Sequence, residues 1–328
     1  MVEVEAVEGP LDERKLGWVA RLYGAVDPKY RDEAFLRHMF VRGPSGAALH
    51  AFATDAGEPV GHAAVVRMPA QGAHGPLLVG KLEALVVDER HRGARGDGPP
   101  VVRRVLDALY ALSDARGFDV LHAYVLPAVG RVIGFDRLED VGPPSLVTLV
   151  RARRGSAERA LLAAQTTTRA VASALGRAPA NLRPVSARDA DLVSAPVRGD
   201  AWRVDGDAML EWYTRAPHVR VLDAGGSRGL VQVPASSHEP LRVAAWAAPA
   251  PTVRTAVRFL VAAARVADST GTATLRLQPA EHPSLRRAAR LLGFVRRWDL
   301  TTLWVRTHDP ALARREAVVW TPSLYLGF

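Results

Sequence analysis

The chain of 328 residues carries the same pattern twice. FLRHMFVRGP (Phe35 to Pro44) runs into the alternating segment ALHAFAT and a turn, and MLEWYTRAP (Met209 to Pro217) runs into HVRVLDAGG in the same order of helix, proline and strand. Further along, GRVIGFDRL leads into SLVTLVRAR, and ARLLGFVRR leads into WDLTTLWVRT. A solenoid repeats every 20 to 50 residues or so, whereas these correspondences recur only once, in the same order, across much of the chain. They describe a duplicated domain, and the length suits two domains of roughly 150 residues each.

In the first copy, patterning predicts a strand near 2–8, helices near 12–24 and 30–41, and strands near 48–55, 58–68 and 77–87. A helix near 99–116, a strand 119–126, a short helix to Phe135 and a strand near 145–152 follow. The helix near 99–116 places Val102, Val105, Leu106, Leu109 and Leu112 on one stripe, starts at a double proline and stops at Gly117. The second copy predicts a strand near 183–188, a helix near 206–215, strands near 218–224, 228–233 and 240–248, a helix near 251–268, a strand 272–278, a helix 283–292 and a strand 297–306. The expected organisation is a first domain over 1–153, a helical connector over 154–181 and a second domain over 182–328. The tail REAVVWTPSLYLGF reads as a strand able to cross into the other copy.

With 48% hydrophobic and 23% charged residues the chain has the composition of a globular protein. No apolar run reaches the ~20 residues of a membrane span, and the acidic N-terminus lacks a signal-peptide pattern, so a cytoplasmic protein is expected. The absence of cysteine excludes disulfides, thiolate nucleophiles and cysteine-rich zinc sites, and no metal site is expected. The net charge of +9 is carried almost entirely by arginine, lysine standing only at Lys15, Lys29 and Lys81. Without a long basic run, this is the codon bias of a GC-rich genome rather than a nucleic-acid site.

The most informative segment is Leu85 to Gly98, LVVDERHRGARGDG, an apolar strand followed by an acidic turn and a glycine-rich loop before an amphipathic helix. Glycines let backbone amides approach a phosphate, the helix adds its positive end, and Arg92 and Arg95 add charge-assisted bonds. The segment and the element order around it resemble the GNAT superfamily of N-acyltransferases, with one inserted residue, Ala94, and with Asp97 and the double proline departing from its pattern. The resemblance implies two GNAT-like α/β (α+β) domains, each a mixed, mostly antiparallel twisted sheet flanked by helices, and acyl transfer from acetyl-CoA or another acyl-CoA to a primary amine. It implies that the backbone of Leu85, Val86 and Val87 receives the pantetheine arm and that Arg92, Gly93, Arg95, Gly96 and Gly98 hold the pyrophosphate.

Glu83, on the same strand, stands where many relatives carry the base that deprotonates the amine. Strand alternation places it with Leu85 and Val87 on one face, opposite Leu82, Ala84 and Val86, and apolar neighbours predict a raised pKa. The usual acid is a tyrosine four residues before the Gly134-Phe135 pair; that position is Gly130, and Tyr124, which shares a strand face with His122, is the substitute. In the second copy the loop AAPAPTVRTA has no glycine before its helix, so that copy reads as degenerate, with Trp202, Trp212 and Tyr213 as core. The expected acceptor is a small-molecule amine, with protein lysine the next choice. An aminoacyl-tRNA-dependent peptidyl-transfer ligase and a non-catalytic acyl-CoA-binding protein are the alternatives.

Overall fold

The computed structural model describes residues 2–93, 99–138, 146–149, 179–193, 201–204, 206–234, 239–272, 274–277, 282–296, 302–314 and 318. The first half begins with β1 (Val2–Glu8), α1 (Glu13–Gly24) and α2 (Glu33–Leu36), which continues as a π-helical turn over Arg37–Val41. There follow β2 (Leu49–Asp55), β3 (Glu58–Gly72), β4 (Gly75–Val87), α3 (Val101–Ala115), β5 (Val120–Val125), α4 (Pro127–Ile133), β6 (Asp136–Leu138) and β7 (Leu146–Leu149). The second half contains β8 (Ala180–Pro184), β9 (Arg203–Val204), α5 (Gly206–Arg215), β10 (Val219–Ala224), β11 (Ser227–Gln232) and β12 (Leu241–Ala247). It ends with α6 (Val253–Ser269), β13 (Thr274–Leu277), α7 (Pro283–Leu291), β14 (Val295–Arg296) and β15 (Thr302–Thr307).

These strands form two sheets, one in the order β1-β2-β3-β4-β5-β15-β6 with β9 paired to β3, the other β14-β7-β13-β12-β11-β10-β8. Each half gives a strand to the other. β15 lies antiparallel between β5 and β6 of the first sheet, while β7 lies between β13 and β14 of the second. Arg306 fixes the visiting strand to α3 by a bidentate bond to Asp114, at 2.7 and 2.8 Å, and its guanidinium lies 4.9 Å from the Tyr110 ring centroid. The crossing expected of the tail is thus made by β15. Of the segment from Arg315 onward only Val318 is described, in an isolated bridge to Trp202.

Local sequence explains the elements. Asp12 caps α1 by accepting from the Lys15 amide at 2.8 Å, and Leu16, Val19 and Tyr23 form its buried stripe. On α3 the buried stripe is Val101, Val105, Leu106, Leu109 and Tyr110, with Val102 and Leu112 only half-buried, so the face is turned from the expected one. The predicted strand near 183–188 lies earlier, at β8, and a 3-10 turn over Ala187–Leu192 takes its place. The predicted connector lies almost wholly outside the described residues.

One apolar core joins the halves, with Phe40, Phe52, Val66 and Val86 from the first and Trp202, Met209, Trp212 and Tyr213 from the second. Trp202, Trp212 and Tyr213 are buried core residues, as expected. Trp212 stacks on His38 at 4.2 Å and donates from its indole to the His38 carbonyl at 3.3 Å. Separate cores lie under α3 and under α6, on the outer faces of the two sheets. No described helix is long and apolar enough to cross a membrane.

Candidate active site

β4 and β5 run parallel only from Val79↔Val120 to Lys81↔His122. Beyond that pair β4 continues to Val87 and β5 to Val125 without pairing, so the strands part and the β4 backbone on that side has no partner strand among the described residues. Unpaired sheet amides and carbonyls are strong hydrogen-bonding groups. Gly80 sits just before the parting point, where a Cβ would lie 2.5 Å from Val65 and 2.7 Å from Leu121.

The register of β3 on β4 slips at the same place, with Ala64 opposite Ala84 and Val65 opposite Leu82, which leaves Glu83 as the extra residue of a bulge. The bulge overturns the expected alternation. Leu82, Leu85 and Val87 pack toward α3, whereas Ala84 and Val86 pack in the core shared by the halves. Glu83 points to that shared side, close enough to Tyr23 and Tyr30 to hold both phenols further in their neutral form.

The surroundings of Glu83 are not the apolar ones expected. The Lys81 ammonium lies 2.9 Å from its carboxylate, and the two side chains are only 5% and 8% exposed. Burial pulls the Lys81 pKa down, Glu83 opposes that shift, and Lys29 and Arg242 add to it, the last from the second half. Tyr23 and Tyr30 stack at 4.6 Å beside the pair, and burial, before any charge, raises both phenols well above the tyrosine range. The sequence itself offers this pairing, as an alternative in which Glu83 is an exposed strand residue bonded to Lys81 or an arginine; the structure forms the pair with Lys81 but buries it.

His122, opposite Lys81, is fully buried, and neither ring nitrogen has a hydrogen-bond partner among the described residues. Burial first, and then the Lys81 charge, lowers its pKa to about 3. The ring is therefore neutral, with one N–H to offer. Tyr124 lies two residues further along the diverging arm of β5, half-buried against the shared core. Gly130 has a steric cause, since a Cβ there would stand 2.0 Å from the ring of Trp304 on the visiting β15. That indole occupies the place of a side chain at the expected acid position.

At the far end of β4, Arg92 donates from Nε to the Val87 carbonyl at 3.0 Å, which folds it back over the strand end. At Gly93 an added Cβ would meet no protein atom within 4 Å. Arg95, Gly96 and Gly98 lie outside the described residues. Beyond the loop, α3 begins at Pro100 with no side chain capping it among the described residues, so its first amides and positive end face the strand terminus. A cleft of about 730 Å³, lined by Leu22, Val86, Val87, Arg90, His91 and Arg92 among others, opens there.

The second half repeats the backbone and changes the side chains. Among the described residues β12 pairs in parallel with β13 from Leu241 to Val243, and its register on β11 slips so that Ala244 is the bulge residue. Arg242 and Ala244 correspond to Lys81 and Glu83. The Thr255 amide at the start of α6 is bonded to the Thr252 hydroxyl at 3.1 Å in a capping box. A cleft of about 730 Å³ opens here too, beside Gly225, Gly226, Arg228 and Ala247.

Two sheets of the same strand order, each with a short parallel pairing of its fourth and fifth strands, a bulge beside it and a helix following the fourth strand, define a tandem protein of the GNAT fold. The chain is similar in structure to a tandem GNAT protein from the clavulanic acid biosynthesis pathway, solved without AcCoA, with a TM-score of 0.54 and 14% identity over 94% of this chain and 99% of that one. It is also similar to a conserved protein of unknown function from Enterococcus faecalis V583, described as a probable N-acyltransferase, with a TM-score of 0.51 and 8% identity over 93% of this chain and 73% of that one. No family model matches the sequence, and no curated protein matches it either. At these identities the likeness establishes the fold.

Proposed function

We propose that the chain is an acyl-CoA-dependent N-acyltransferase whose reaction takes place in the first half, between the parting β4 and β5. The observation that carries this reading is the release of β4 from β5 immediately after Lys81↔His122, with the Glu83 carboxylate bulged out of register at the same point. Bound acyl-CoA would supply the thioester, and the residues present suit it. The β4 edge over Leu85, Val86 and Val87, without a partner strand among the described residues, offers amides and carbonyls to a pantetheine arm, and the first turn of α3 with Arg92 and Gly93 offers donors to a pyrophosphate.

Glu83 takes a proton from the acceptor ammonium, which frees the lone pair that attacks the acyl carbon. As the carbon–nitrogen bond forms and the carbon–sulfur bond breaks, the amine nitrogen gives up its second proton to water; Tyr124 on the facing arm protonates the departing sulfur and is reprotonated from solvent, to which Glu83 also returns the first proton. In this reading His122, held neutral by burial, donates its N–H to the acyl oxygen, as a neutral imidazole does when it acts as an electrophile. The acceptor in this reading is a primary amine, as direct attack on a thioester with a carboxylate base requires, and supply of acyl-CoA suits the cytoplasm. The test is Glu83→Gln, with thiol release and acyl-CoA binding measured side by side. Turnover should fall roughly a hundredfold with acyl-CoA affinity nearly unchanged; near-normal turnover removes Glu83 as the base.

A further inference from the structure

The Lys81–Glu83 pair constrains the acceptor. If Glu83 receives an ammonium, it must loosen or share its bond to Lys81, and removing one partner from a buried ion pair leaves a costly uncompensated charge. A simple amine therefore arrives at a carboxylate that is already matched. An amine that also carries a carboxylate meets a different balance, because its ammonium goes to Glu83 and its carboxylate to Lys81, so one internal pair becomes two intermolecular ones with no charge stranded. The 2.9 Å between the two side-chain charges fits an amine and a carboxylate borne on the same carbon or on neighbouring carbons.

The surrounding field has the same sense. Lys29 of the first half and Arg242 of the second both act on Lys81 as like charges, so an incoming anion on that side relieves repulsion between cations contributed by the two halves. Asp27, on the connection from α1 to α2, is paired with Lys29 at 3.4 Å, so both signs of charge stand there. The stacked rings of Tyr23 and Tyr30 wall this region. Arg242 adds positive charge from the second half on the Lys81 side of the pair.

We propose that the acceptor is a zwitterion, an amino acid or a close analogue, whose ammonium is held by Glu83 and whose carboxylate is held by Lys81. The proposal rests on the acyltransferase reading for its site, and binding measurements separate the two. The probes are the standard amino acids, each paired with the amine left by its decarboxylation, applied to the full chain by calorimetry or saturation-transfer NMR and, in parallel, by thiol release from acetyl-CoA.

At least one amino acid should exceed its own amine by about a hundredfold or more in affinity or kcat/KM, as expected where a site's charged group would otherwise be left unpaired. In Lys81→Met that ratio should collapse toward one while acetyl-CoA affinity is retained. The double variant Lys81→Met/Glu83→Gln, which buries no charge, guards against a folding defect in the single variant and should lose amino-acid binding altogether. Failure of every amino acid to bind at millimolar concentration, amines that equal their amino acids, or a preference that survives Lys81→Met would each overturn the proposal. Amino-acid binding that depends on Lys81, without thiol release, would keep the zwitterion site and reject the acyltransferase. Thiol release with amines alone would do the reverse.

Discussion

Glu83 and Ala244 occupy the same place in the two halves, each the extra residue of a bulge beside a short parallel strand pairing. Duplication has kept this backbone geometry, the partial parallel pairing and even the size of the cleft at the strand end. What differs is chemistry. The first half has a carboxylate on the bulge and, beyond it, a helix that no side chain of the described residues caps; the second has a methyl group on the bulge, and its helix satisfies its own amide with Thr252. The shape of a GNAT cleft is therefore set by strand register and outlasts the residues that would use it, so geometry alone does not mark the working half.

The largest effect that can test this contrast is acid lability. Burial holds His38, His50, His62 and His122, all of the first half, below the usual histidine range, at about 4 for His38, about 3 for His50 and His122, and well below normal for His62. Their folded pKa lies under the unfolded one, so stability is complete above about pH 6.5 and is lost as pH falls toward 4. Each such histidine removes about 1.4 kcal/mol per pH unit within that window. The melting temperature should fall steeply from pH 7 to 5, with amides of β2, β3 and β5 losing exchange protection; a flat melting temperature would contradict the burial of these rings.

The loss of roughly a hundredfold in turnover expected for Glu83→Gln comes next and tests the carboxylate itself. It should be compared with Ala244→Gly, which removes only a methyl group from the corresponding bulge; equal losses would deny any division of labour. Gly130→Ala should then cost about 1–3 kcal/mol in chemical denaturation, because the new methyl would collide with Trp304 on the exchanged strand. An unchanged denaturation midpoint would mean that α4 and β15 do not meet in this way. The smallest change is expected at the helix ends. Pro100→Asp should give α3 the kind of cap that α6 already has, raising stability by roughly 0.5–2 kcal/mol and weakening acyl-CoA binding about tenfold in calorimetry. Unchanged affinity would show that the end of α3 does not face the pyrophosphate.

Patterning along the chain revealed the duplication, the order of the main helices and strands and the residues of the splayed strand, because these depend on local periodicity. It failed where partners decide. Ala84 to Val87 alternate as the sequence predicts, yet the bulge exists only in the register of β4 on β3, so Leu82 and Glu83 lie on the faces opposite to those expected. The short strands β6, β9 and β14 have too few residues to show a period. Nothing within TLWVRT states that it will join the opposite sheet, nor does Gly130 announce that Trp304 has taken its space. The Lys81–Glu83 contact was within reach, since both residues stand on one predicted strand, but only the three-dimensional arrangement adds Arg242 from the other half.

The exchange of strands also has a temporal side. β5 and β6 of the first sheet are joined through β15, so when the ribosome has delivered the chain as far as Leu138 a slot in that sheet is still vacant. Its occupant emerges roughly 170 residues later, a delay on the order of ten seconds at ordinary rates of synthesis. Throughout that interval β5 presents an unpaired edge, the feature on which a second nascent copy can pair by mistake. Assembly of the first half is thus timed by translation of the second, and slowing synthesis after Leu138 should raise the fraction of chains lost to intermolecular pairing.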